Sequence, residues 1–247
     1  MKKMIFLFVL VFLAASSWAS AAPYYRFWRG WKLDPLSSVN FQTGLNSSLI
    51  PATVKVGGGK GLIGYLPVMP SQPKPASVPD ELALVIYSSE SAYQQIRGTP
   101  EGKSYGDLHW EFFDQTKGSR SLVPEPYRGK IENEKAYDLL NSDADWKRGH
   151  AVFITSKVSG DLKSYIDSLR NHFAKKGLKS HIFLIQGQVI YEYQLWSDRA
   201  AFRMNWPLLN KRASSNLILW WGGSSELTKQ DWQNPSLEPG MGLNVIF

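Results

Sequence analysis

The sequence predicts an α+β fold built on the order strand, helix, strand, strand, helix, strand. Three observations predict it. Apolar residues recur at helical spacing over Asp161–Lys176, two strand-like runs flank Gly187-Gln188, and the same order can be read a second time in the first half of the chain.

The plainer copy spans Gly149–Gly223. His150–Lys157 reads as its first strand. In Asp161–Lys176 the residues Leu162, Tyr165, Ile166, Leu169 and Phe173 line one face of a 3.6-residue helix. Asp161 sits where the helix dipole favours an anion and Lys175-Lys176 where it favours cations, with Gly177 at the usual stop position. His181–Gln186 and Val189–Trp196 pair around Gly187-Gln188, and glycine at the first central position suits a type II′ turn. Ser197-Asp198 open a second helix with Phe202, Trp206 and Leu209 on one side, and Asn216–Trp221 closes the unit as a strand. This βαββαβ order is that of the ferredoxin-like unit.

The first half carries the order less plainly. Tyr24–Trp31 alternates and reads as a strand. Asp34-Pro35 is a helix start, with Asp at the N-cap and Pro at the first helical position; the helix is expected to end near Ile50, at Pro51. Gly57–Gly61 is a loop that lacks the phosphate-loop pattern. Leu62–Met69 reads as an edge strand, because Pro67 cannot donate to a ladder. After the proline-rich Pro70–Pro79, Glu81–Tyr87 is a strong strand. Ser88–Arg97 is a short helix broken by Gly98, and Thr99-Pro100-Glu101 restarts it. Ser119–Val123 is a weak closing strand. The expected organisation is a leader over 1–21, a first unit over 22–123, a connection over 124–148 that is helical around Ala136–Leu140, a second unit over 149–223, and a tail over 224–247 with one short strand.

The leader has the parts of a secretory signal peptide: Lys2-Lys3, the apolar Ile5–Ala15, and Ala19-Ser20-Ala21 as the cleavage site. Its apolar run is too short to span a bilayer, and no later run is apolar enough. A periplasmic or secreted protein is therefore expected. The formal net charge of +7 falls by two when Lys2 and Lys3 leave, and no Lys/Arg run reads as a nucleic-acid patch. The chain has no cysteine, which excludes disulfides, zinc–thiolate sites and a cysteine nucleophile. Trp28, Trp31, Trp196, Trp220 and Trp221 fall near strand ends, as packing residues or as the wall of an aromatic pocket.

Two such units in one chain resemble the dimeric α/β-barrel superfamily in its fused form. The segment Ser89–Trp110, with Tyr93, Arg97, Thr99-Pro100-Glu101 and His109, resembles the broken second helix of EthD-like members. The resemblance implies two sheets closed into an intramolecular barrel with helices outside. It implies several activities: cofactor-free oxygenases or isomerases acting on small aromatic compounds, haem-binding enzymes, and members without known chemistry.

Turn geometry sorts the hairpin's faces. Ile182, Leu184, Val189, Tyr191, Tyr193 and Leu195 share one, expected to pack beneath the helices. His181, Phe183, Ile185, Ile190, Glu192, Gln194 and Trp196 share the other, expected to point into the barrel. His181 and Glu192 are diagonal neighbours there, where a carboxylate can orient an imidazole and raise its basicity. They are the candidate catalytic pair, with Phe183, Gln194 and Trp196 as ligand contacts; the alternative is a pair that merely satisfies itself. His172 is the candidate for a haem alternative, although no cofactor is expected. No spacing of His, Asp and Glu suggests a metal site. The expected activity is binding of a small hydrophobic or aromatic molecule. Its alternatives are an oxygenase-like or haem-dependent enzyme and a non-catalytic envelope protein that docks a protein or glycan.

Overall fold

A computed structural model describes residues 22–70, 74–140, 144–146, 148–214, 217–226 and 245–246, with side chains through residue 213. The expected leader and most of the expected tail lie outside the described residues. Strand β1 is Tyr24–Gly30. A helical run follows as α1 (Ser38–Gly44), a π-helical segment (Leu45–Leu49) and α2 (Ile50–Gly57). Then come β2 (Leu62–Val68), β3 (Glu81–Tyr87), α3 (Glu90–Gly98), α4 (Pro100–Leu108) and β4 (Arg120–Leu122). The connection holds β5 (Glu125–Pro126) and β6 (Ala136–Asp138). The second unit is β7 (His150–Val158), α5 (Leu162–Ser168) with a π-helical continuation Leu169–Phe173, β8 (Leu178–Gln186), β9 (Val189–Trp196), α6 (Arg199–Ser214) and β10 (Leu217–Glu226). A last strand, β11, is Val245–Ile246.

The strands form two sheets, ordered β11-β2-β3-β1-β4 and β10-β7-β9-β8-β6-β5. Within each unit the first and third strands lie side by side at the centre and every pairing is antiparallel. That topology is the consequence of two split βαβ units, each with a hairpin between its helices.

One face of each sheet meets the other sheet. Phe27, Leu82 and Leu84 from the first share a core with Phe153, Leu184 and Tyr193 from the second. Phe27 and Tyr193 meet edge to face, with ring centroids 5.4 Å apart. The Tyr193 hydroxyl donates to the Leu66 carbonyl at 2.9 Å, and the Trp146 indole N–H donates to the Tyr25 hydroxyl at 3.0 Å. The outer faces are covered by helices: Phe41, Leu49 and Val54 over the first sheet, Tyr165, Leu169 and Phe173 over the second. The layers run helix, sheet, sheet, helix.

Local signals account for the elements. Ser37, Ser89, Thr99 and Asp161 each cap a helix by accepting from a backbone N–H. Gly177 closes the α5 run at φ 105, a left-handed conformation that glycine adopts without a Cβ penalty. The β8–β9 register is the expected one, pairing Gln186 with Val189, Phe183 with Glu192 and His181 with Gln194.

Four expectations are corrected. Helix α1 starts after Ser37 rather than at Asp34-Pro35, because Ser37 supplies the side-chain cap. Pro51 does not end the helix. It sits at the start of α2, directly after the π-helical turn, where the wider spiral accommodates the missing N–H. Ala136–Asp138 is a strand that pairs with β8, not a helix. Finally, the hairpin's faces are reversed. Ile182, Leu184, Tyr191, Tyr193 and Leu195 face the other sheet, and Phe183, Ile185, Ile190 and Trp196 lie beneath the helices. The His181, Glu192 and Gln194 side chains thereby meet the Tyr165 hydroxyl beneath α5, while on the inward face the Tyr193 hydroxyl is taken up by the Leu66 carbonyl of the other sheet.

Candidate functional site

The sequence-predicted residues of the second unit do come together. The His181 Nε2 lies 2.9 Å from the Glu192 carboxylate. The Tyr165 hydroxyl donates to the same carboxylate at 3.1 Å, and the Gln194 amide N–H donates to it at 3.3 Å. The Trp196 indole N–H donates to the Gln194 carbonyl oxygen at 3.1 Å, and His181 stacks on Phe183. His181, Phe183, Glu192, Gln194 and Trp196 are each 0% exposed. They form a buried polar network between β8–β9 and α5, in which both Glu192 oxygens accept a hydrogen bond while His181 Nδ1 is buried without a partner among the described residues. His172 stands apart from them, beside Phe173 on the π-helical turn. Its pKa is lowered by partial desolvation and by Lys176 and Arg212.

The matching space in the first unit is open. Between the outer face of the first sheet and α2–α4 lies a cavity of about 140 Å³. The sheet contributes Trp28, Tyr65, Glu81 and Tyr87; α3 and α4 contribute Tyr93, Arg97, Tyr105 and Gly106, and His109 follows α4. Strand alternation explains the sheet's share: Arg26 and Trp28 on β1, and Glu81, Ala83, Val85 and Tyr87 on β3, all point to the helix side. The cap at Thr99 restarts the chain as α4 and brings Tyr105 and His109 over the cavity. The Tyr105 hydroxyl is held by Thr53 Oγ1 at 2.7 Å.

Glu81 is the buried carboxyl of this cavity, 1% exposed. Burial pushes its pKa up from 4.5 to about 7, against smaller lowering effects from Tyr65 and Trp28. The Tyr65 hydroxyl donates to its Oε1 at 3.2 Å. Trp28 Nε1 lies close enough to lower the Glu81 pKa, yet among the described residues neither it nor Glu81 Oε2, both buried, has a partner at good hydrogen-bond geometry. Burial likewise raises the pKa values of Tyr65, Tyr87 and Tyr105, so these phenols stay protonated. His109 Nδ1 lies 2.9 Å from the Tyr105 carbonyl, which can only accept, so Nδ1 carries the proton. Burial lowers the His109 pKa, which favours a neutral ring with Nε2 as an acceptor.

Arg26 and Arg97 stand at the other end. Arg26 Nε donates to Ser121 Oγ at 2.6 Å and its guanidinium lies 4.8 Å from the Tyr93 ring centroid. Arg97 donates to the Tyr93 hydroxyl at 3.3 Å. Among the described residues no group of three or more His, Cys, Asp and Glu could hold a metal.

Sequence reasoning touched this site without assembling it. Tyr93, Arg97 and His109 lie in the segment that carried the superfamily resemblance, and Trp28 was among the strand-end tryptophans. Glu81, Tyr65 and Arg26 were missed. The available signal was the parity of Glu81 with Ala83, Val85 and Tyr87, which puts a lone carboxylate on an otherwise apolar face.

No protein-family model matches the chain, and no curated protein matches it in sequence. Three solved structures are similar at low level. A protein from Lactobacillus acidophilus NCFM, provisionally designated a monooxygenase, is 4% identical over 82% of this chain and 91% of its own, with a TM-score of 0.42. One of the same designation from Fusobacterium nucleatum is 10% identical over 83% and 91%, with a TM-score of 0.43. An anthrone oxidase-like protein is 12% identical over 83% and 94%, with a TM-score of 0.36. TM-scores below 0.5 leave the chemistry to be argued from the residues themselves.

Proposed function

We propose that this protein binds a small aromatic molecule in the first unit's cavity. The supporting observation is a cavity walled by aromatic rings in which Glu81 Oε2 and Trp28 Nε1 are buried without partners. Pockets of this kind combine apolar walls with a few convergent polar groups. Size limits the ligand: an apolar cavity of about 150 Å³ holds a benzene molecule, so about 140 Å³ takes one ring with small substituents. A haem is far larger than that space. The sequence-based assignment to His181, Phe183, Glu192, Gln194 and Trp196 needs a route into a layer where all five are fully buried. The first unit needs none, since Arg97 and Trp110 on its rim are exposed.

Gly106 provides the test. It lines the cavity, and a Cβ there would have no atom within 4 Å. Gly106→Leu should fill the mouth without disturbing the fold. In ligand-observed NMR, single-ring aromatics should show saturation transfer with the wild type and lose it with Gly106→Leu. Equal signals from both proteins would remove the cavity as the site.

A second reading, an oxygenase-like or other enzyme, is favoured by Glu81. A carboxyl with a pKa of about 7 can take a proton from a bound substrate near neutral pH. The reading also includes export after cleavage at Ala21 and closure of the two sheets into a fused two-repeat barrel. The intact mass of protein recovered from the periplasm tests the cleavage.

A further inference from the structure

We infer that the cavity's ligand is a hydroxylated aromatic anion, held with its hydroxyl at Glu81 and Trp28 and its anionic group at Arg26 and Arg97. This rests on the cavity being the binding site and adds the polarity of what it takes.

The two ends of the cavity differ in chemistry. At the inner end, an N–H donor and a carboxyl oxygen stand beside each other, both buried and both unpartnered. A hydroxyl satisfies both in either state of Glu81: it accepts from Trp28 Nε1, and it donates to Oε2 when the carboxyl is ionised or accepts from Oε2–H when it is protonated. A plain ring edge would leave both unpaired, and an ether would leave Oε2 unpaired once Glu81 is ionised; a buried unpaired group is the arrangement that discriminates most strongly against the wrong ligand. Glu81 itself holds its charge poorly, so the group placed beside it is better neutral than anionic.

At the outer end the electrostatics are opposite. Arg26 bonds to Ser121 and Tyr24, and Arg97 bonds to Tyr93; all these acceptors are uncharged oxygens. Two guanidinium groups thus line one end of the cavity, and among the described residues no carboxylate pairs with either. A planar guanidinium matches a carboxylate in two parallel hydrogen bonds. The spacing also suits a substituted ring. In the strand register, Arg26 sits opposite Val85, and Glu81 lies four residues further along β3. At about 3.3 Å per residue the two ends are about 13 Å apart along the backbone, a distance that the long side chains reaching in from both ends shorten. Trp28, opposite Ala83, lies between them in the register, and Tyr87 and Tyr93 wall the arginine end.

The test compares four probes by isothermal titration on the full mature protein: 4-hydroxybenzoate, benzoate, 4-hydroxybenzyl alcohol and phenol. 4-Hydroxybenzoate should bind tightest. Loss of the hydroxyl in benzoate, or of the charge in 4-hydroxybenzyl alcohol, should each weaken binding about tenfold or more. Arg97→Gln should remove the preference for the charged probe and leave the hydroxyl preference intact. Trp28→Phe should do the reverse, keeping the ring while removing the N–H. The charge preference should also shrink with added salt. Similar affinities for all four probes would overturn this inference and keep the cavity as a binding site. No binding by any of them, with the same result for Gly106→Leu, would remove the cavity reading and this inference together. Because the probes vary the ligand, the comparison stands even where a variant does not fold.

Discussion

Glu81 and Glu192 show how neighbours decide the behaviour of a buried carboxylate. Both face the helix side of a central strand and both are at most 1% exposed. Glu192 has Tyr165, His181 and Gln194 around it, whereas Glu81 has only the Tyr65 hydroxyl at hydrogen-bonding geometry. Glu81 therefore keeps its proton up to about pH 7, while in the unfolded chain it releases it near 4.5. Between those values the folded state binds more protons than the unfolded one. The stabilisation tied to this proton is complete below pH 4.5 and is lost as pH rises through 7. At about 1.4 kcal/mol per pH unit, the loss is about 3 kcal/mol. Denaturant unfolding of the wild type and Glu81→Gln, compared from pH 4.5 to 8, should show their difference in stability shift by that amount against the wild type. A difference that stays flat across the range would contradict the buried, weakly partnered state of Glu81.

At the scale of elements, each unit's first helix carries a π-helical turn, Leu45–Leu49 in one and Leu169–Phe173 in the other. Such turns re-aim side chains and recur at functional sites. In the first unit Leu49 from this turn lines the cavity. In the second, Leu169 and Phe173 press onto Trp196 and Ile190 and fill the corresponding layer. The Tyr165–Glu192 hydrogen bond then ties α5 to β9. Glu192→Leu removes the acceptor for three donors, of which the imidazole and the phenol have no water to turn to. Breaking a buried polar pair from one side costs about 3–5 kcal/mol. Urea unfolding should show a loss of that size; a loss under about 1 kcal/mol would mean that the network contributes little to holding α5.

At the scale of the molecule, the two units share their inner core. Among the described residues, Phe27 and Leu84 are covered by the sheet that carries Phe153 and Tyr193. Separating the sheets would expose both inner faces to water, so the halves are expected to unfold together. Far-UV circular dichroism and tryptophan fluorescence should follow one coincident denaturant transition. Phe153→Ala should lower its midpoint as a whole, at a cost of about 3–5 kcal/mol. Two separated transitions would show that each unit has a sufficient core of its own.

Local physics was legible along the chain because it acts over a few residues. The stripe Leu162 to Phe173, the caps at Asp161 and Thr99, the stop at Gly177 and the register around Gly187-Gln188 needed nothing from outside their own segments. The same reasoning paired His181 with Glu192 across two strands, since a hairpin's register places side chains by itself. Which face of that hairpin would turn inward was not legible. Both faces are apolar enough to be buried, and the choice belongs to whatever packs on them. The cavity was beyond local reasoning for the same reason: Arg26, Tyr65, Glu81 and Tyr105 come from four separate elements. The order of elements and the pairings within a hairpin were determined by the sequence alone. Only the packing of layers decided that one unit's polar residues close on each other while the other's surround an open space.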